Sequence, residues 1–153
     1  MKLQSSIAGF AGQPATLIGM FDEDTGVLVV AKHVKYRENR AADDFLLISN
    51  LELPALDCRF TDDDLKDAIQ TFYTMKSQGT LDIPSTMQRY DPGNRIQQDK
   101  IETSGRKYLL HPDIDNGQVA VLALVSALIK QRPIIATLSA ADELAEFYKV
   151  ISI

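Results

Sequence analysis

Polar positions thin out abruptly between Val119 and Ile129, where VAVLALVSALI carries one polar residue, Ser126. The run is too short to cross a bilayer, which takes roughly 20 apolar residues. It is also apolar all round, whereas a surface helix keeps one polar face. The pattern therefore predicts a core helix over about 117–131, covered by the rest of the domain or by a second copy of the chain. Asp115 or Asn116 offers the N-cap, Lys130 and Arg132 complement the far end of the dipole, and Pro133 stops the helix.

Other segments keep a clear period. Leu65, Ala68, Ile69, Phe72 and Tyr73 follow the spacing of one buried helical face, predicting a helix over 62–78. Thr61 is its N-cap and Asp64 sits where a capping-box acid reaches back. Asp62, Asp63 and Asp64 favour the positive end of the dipole, which accounts for them without a metal, and Gly79 supplies the stop. Leu144, Phe147, Tyr148 and Ile151 share a face of a third helix, over 140–151, behind the cap Ser139 and a short buried strand at Ile134–Leu138.

Strands dominate the first third. Ala15–Phe21 and Val27–Arg37 flank a turn-rich loop ending in Gly26, a hairpin signal. The second of these runs starts apolar on both faces and becomes one-sided beyond Ala31. Phe45–Leu53, stopped by Pro54, is a further strand. A later hairpin joins Arg95–Thr103 to Arg106–Leu110 around Ser104-Gly105, in a register that sets Glu102 opposite Lys107 and Ile101 opposite Tyr108. The expected fold is one α+β domain over 1–153: an antiparallel sheet of about five to seven strands, built from an N-terminal meander and the later hairpin, with three helices of which the middle one is buried.

Composition narrows the function classes. The chain has 153 residues and a net charge of −5, which argues against general binding to nucleic-acid backbones. One cysteine, Cys58, excludes an internal disulfide and a cysteine-based zinc site; beside Leu56 and Phe60 it reads as a small core residue. Polar residues Gln4, Ser5 and Ser6 interrupt the N-terminal segment, which lacks the apolar stretch of a signal peptide. With no membrane-length run, the cytoplasm is the expected compartment.

Two constellations carry candidate chemistry. His111-Pro112-Asp113-Ile114-Asp115 gathers an imidazole and two carboxylates at the mouth of the apolar helix. Such groups suit acid–base work or a divalent ion, although turn and cap roles explain both aspartates. The second is a basic stretch, Lys32, His33, Lys35, Arg37 and Arg40, with Tyr36 interleaved. On a strand His33, Lys35 and Arg37 share a face, which suits an acidic partner or RNA, or else a charged edge that resists self-pairing. No Walker lysine, nucleophile elbow or dinucleotide fingerprint is present, and no cofactor is expected. The function expected first is that of a small cytoplasmic non-catalytic binding protein of inhibitor, immunity or accessory type. It would meet a protein partner through a sheet surface, at Lys32, His33, Lys35, Tyr36, Arg37 and Arg40, or act through a homodimer interface. The alternative is a small hydrolytic enzyme using His111 with Asp113 or Asp115 and a divalent ion.

Overall fold

A computed structural model describes residues 1–31, 45–87, 89–101 and 105–131. Six strands form one sheet: β1 (Lys2–Ile7), β2 (Ala15–Phe21), β3 (Leu28–Ala31), β4 (Leu46–Ser49), β5 (Cys58–Arg59) and β6 (Leu81–Asp82). Their order across the sheet is β5-β4-β1-β2-β3-β6. The meander β1-β2-β3 is antiparallel, but β1·β4, β4·β5 and β3·β6 pair in parallel. The sheet is therefore mixed, a correction to the antiparallel sheet expected from the sequence. Hydrophobic alternation reports which face a side chain takes and carries nothing about strand direction. Parallel neighbours cannot be joined by a tight hairpin turn and need a longer connection. The chain spends residues 32–45 between β3 and β4, and β4 then pairs on the far side of β1.

The strand at the centre of this sheet, β1, is not announced by the sequence pattern, and neither are the two-residue strands β5 and β6 at its edges. Its KLQSSI reads as polar, yet Gln4 and Ser5 are buried as fully as Leu3 and Ile7. Both faces of β1 are covered, so its polar groups need partners inside, and among the described residues Ser5 Oγ finds none. Ser49 Oγ donates to Ser6 O at 2.5 Å across the β1·β4 ladder. Just beyond it, Asn50 acts as an extra rung: its Nδ2 donates to Ala8 O at 2.7 Å, and Ala8 N donates to its Oδ1 at 3.3 Å. Asp57 does the same for the next pair, accepting from Leu47 N at 2.7 Å while its own N–H donates to Leu47 O at 3.0 Å.

Helix α1 (Leu65–Gln78) follows a short 3-10 turn at Asp62–Asp64. The reach-back arm of the expected capping box is present, with Thr61 N donating to Asp64 Oδ2 at 2.9 Å. Gly79 ends the helix at φ 70°, a left-handed position where a Cβ would be strained, and its N–H closes onto Lys76 O. The buried stripe is Leu65, Ala68, Ile69, Phe72 and Met75. Tyr73, expected on that stripe, instead lies at its rim, 37% exposed, with its hydroxyl donating to Asp91 and accepting from Gly93 N.

The apolar segment is helical at residues 116–131, here α2. Val119 to Val125, Ala127 and Leu128 are all buried, and this cover is supplied within a single chain. Part of it is the sheet. A Cβ added at Gly19, in the middle of β2, would stand 3.3 Å from Leu124, so α2 lies directly over that glycine. One core cluster unites Leu3, Ile7, Leu17, Leu28 and Val30 of the sheet with the α1 stripe and α2. At the far end Lys130 Nζ donates to Arg59 O at 2.6 Å and to Asp64 Oδ2 at 3.0 Å, tying α2 to β5 and to the cap of α1.

The later hairpin forms its own two-stranded ladder, β7 (Ile96–Ile101) with β8 (Gly105–Leu110), rather than joining the sheet. Its register sets Asp99 opposite Lys107 and Ile101 opposite Gly105, which corrects the expected register by three positions. Both registers set an acidic position opposite position 107, Glu102 in one and Asp99 in the other, so the charge pattern alone does not choose between them. The helix over 140–151, the strand at Ile134–Leu138, Pro133 and the basic stretch from Lys32 to Arg40 lie outside the described residues.

Candidate functional site

The His111–Asp115 segment connects β8 to α2, and most of its chemistry is spent on that connection. Ile114 N donates to His111 O at 3.0 Å, forming a turn. Asp115 caps α2: its Oδ1 accepts from Gly117 N at 2.7 Å, and its carbonyl accepts from Val119 N at 3.1 Å. Its carboxylate is thereby committed to the helix end. Of the two cap candidates, Asp115 takes the cap and Asn116 does something else.

Asn116 is buried and grips the loop between β1 and β2. Its Nδ2 lies within hydrogen-bonding reach of three carbonyls, those of Gly12 and Gln13 at 3.1 Å and of Phe10 at 3.3 Å. Its Oδ1 accepts from Phe10 N at 3.0 Å, and its backbone N–H donates to Ala11 O at 3.0 Å. Gly9 and Gly12, at φ 94° and 81°, give the loop the left-handed turns that aim these carbonyls inward. Only an amide carries donors and an acceptor together in this arrangement.

His111 and Asp113 remain. His111 Nδ1 stands 2.6 Å from Asp113 Oδ1, with side chains 45% and 54% exposed, but the ring nitrogen makes no aligned hydrogen bond. An exposed pair of this kind contributes little to stability. A carboxylate within reach of an imidazole suits a general base and its orienting partner, but that role needs an aligned Nδ1 hydrogen bond, which this pair lacks. No group of three or more potential metal ligands occurs among the described residues. Asp113 and Asp115 thus flank the same turn without acting together: one faces the imidazole and the other faces the helix.

Among the described residues, two clefts lie elsewhere, and neither includes these residues. One, of about 410 Å³, runs between the β2–β3 turn and α1, lined by Thr25, Gly26, Thr71, Thr74, Met75, Gln78 and Thr80. Thr74 and Thr80 already donate their hydroxyls to Gln70 O and Met75 O, so the lining holds no charge and few free donors. The other, of about 290 Å³, is bordered by Lys76, Leu81, Asp82 and Ile83.

The sequence pattern does not single out the most exposed apolar pair. Met20 of β2 and Val29 of β3 stand directly opposite each other, 50% and 44% exposed. Their strand neighbours Gly19, Leu28 and Val30 point to α2 and the core, so Met20 and Val29 occupy the opposite face. ATLIGMF is apolar at nearly every position, and Thr16, at the start of the strand, is its one polar residue and shares the face of Met20.

No helix among the described residues is long and apolar enough to cross a membrane. No protein family, curated protein or solved structure matches this chain.

Proposed function

We propose that the protein is a small cytoplasmic, non-catalytic binding protein of inhibitor, immunity or accessory type, working through the sheet face opposite α2. The observation that carries this reading is the Met20–Val29 pair, two large apolar side chains held half-exposed by adjacent strands of a rigid sheet. Exposed apolar contacts on regular elements are what partner surfaces use at their centre. The basic stretch Lys32, His33, Lys35, Tyr36, Arg37 and Arg40 follows directly on β3 in the sequence. An apolar pair followed in the sequence by basic residues suits a protein partner with an acidic rim. The net charge of −5 would repel acidic surfaces in general, leaving recognition to this local contrast.

The test compares what the full chain retains from its native cell extract with what its variants retain. A partner held by the wild type and by His111→Ala with Asp113→Ala, but lost by Met20→Glu with Val29→Glu, supports the proposal. Lys35→Glu with Arg37→Glu should weaken the same complex and remove its salt dependence. Undiminished binding by Met20→Glu with Val29→Glu overturns it. Self-association that disappears in that variant would point to a homodimer on this face instead.

A second reading, a small hydrolytic enzyme, rests on the 2.6 Å approach of His111 to Asp113. It keeps these two residues and drops Asp115, whose carboxylate holds the helix cap. Hydrolysis that is abolished by His111→Ala, or a tightly held Zn²⁺, Mn²⁺ or Mg²⁺, would favour it over the first.

A further inference from the structure

We infer that Asn116–Gly117 is a deamidation site that folding switches off, so that time spent unfolded is recorded covalently in the residue on which refolding depends. Of the four asparagines in the chain, Asn116 alone precedes a glycine. Without a Cβ, the following nitrogen approaches the asparagine side chain freely. In the reaction Gly117 N gives up its proton and attacks Cγ of Asn116. The Cγ–Nδ2 bond breaks, ammonia leaves with that proton, and a five-membered imide remains. Water then opens the imide to an aspartyl or isoaspartyl residue.

The folded chain blocks each requirement. The attacking nitrogen must first be deprotonated, yet its N–H is held by the Asp115 carboxylate at 2.7 Å, and a neighbouring negative charge opposes loss of that proton. The amide must swing over its own following peptide nitrogen, yet its Oδ1 and Nδ2 are bound by Phe10, Gly12 and Gln13. Both residues are buried at the first turn of α2. None of these restraints survives unfolding.

The product cannot rebuild the clamp. A carboxylate is acceptor-only, and here it would face the carbonyls of Phe10, Gly12 and Gln13 where the amide donated. An isoaspartyl linkage also adds a backbone atom where α2 begins. Unfolding that is reversible at first thus becomes irreversible with time.

The test holds the full chain in guanidinium chloride at mildly alkaline pH, with a thiol reductant to protect Cys58, beside a folded sample in the same buffer. At intervals both are returned to native conditions. The tryptic peptide containing Asn116 is weighed, and the refolded fraction is read from near-ultraviolet circular dichroism. In the unfolded sample the peptide should gain one dalton and refolding yield should fall in step. The folded sample should convert at roughly one-tenth of that rate or below, as access requires opening of the helix terminus. Gly117→Ala, scored against its own starting yield, should slow conversion and preserve refolding together. Equal conversion in folded and unfolded samples overturns the inference. So does full refolding of the converted chain, or loss of yield in Gly117→Ala at the wild-type rate.

Discussion

Tyr90 carries a cost at the scale of one residue. Its ring packs edge-on against Phe72, with centroids 5.3 Å apart, and its buried hydroxyl has no hydrogen-bond partner among the described residues. Burying a hydroxyl unpaired costs about 1–3 kcal/mol. Tyr90→Phe, which keeps the ring, is therefore expected to raise stability by up to about that amount in urea denaturation at neutral pH. A second signature follows from titration. Burial pushes the Tyr90 phenol far above its ordinary range, so the folded chain keeps its proton while the unfolded chain loses it above about pH 10. The unfolded state then binds fewer protons, and stability falls as pH rises beyond that point. Tyr90→Phe should show a shallower alkaline decline. An equally steep one would mean that other groups set it. Asn116 is the opposite case, an equally buried polar residue with each polar atom of its amide engaged. Nothing local distinguishes the two, since the partners of Asn116 lie more than a hundred residues earlier in the chain.

Elements were legible where local chemistry decides them. Thr61, Asp64 and Gly79 delimit α1 through bonds to residues a few positions away, and the apolar run of α2 demands burial whatever surrounds it. β1 was not legible, because Gln4, Ser5 and Ser6 resemble a surface segment until β2 and β4 flank them. Gly19 shows how closely two elements are fitted. A methyl there would stand 3.1 Å from Leu28 Cδ1 and 3.3 Å from Leu124 Cδ1. Gly19→Ala should therefore cost about 1–3 kcal/mol by overpacking, and Leu124→Ala about 2–5 kcal/mol through the cavity it leaves. Made together, they should cost less than the sum, because the smaller residue at 124 makes room for the methyl. Strict additivity in a double-mutant cycle would show that α2 does not rest on this glycine.

For the whole molecule, the decisive arrangement is a sheet with α2 over one face and an apolar pair left half-exposed on the other. Met20→Glu with Val29→Glu should lower unfolding stability by no more than roughly 0.5 kcal/mol per site, the usual effect at exposed positions, plus up to about 1 kcal/mol because the two carboxylates stand directly opposite each other. Thermal melts that drop well beyond this would mean the pair is structural, and binding losses in that variant would then carry no weight. The sequence by itself determined the α+β class, the helix at 62–78 with its caps, and the burial of Val119–Leu128. It also placed Asp115 among the caps of that helix. Each of these depends on interactions between residues a few positions apart, or on the free energy of hydrating apolar side chains. Only the tertiary structure decided that the sheet is mixed, that polar β1 is its centre, and that the later hairpin stands apart from it. Only the tertiary structure separated Asp115 from Asp113 and turned Asn116 onto the β1–β2 loop. Strand direction, register and the partner of a buried amide depend on which distant segments the chain brings together, and hydrophobic patterning does not encode that choice.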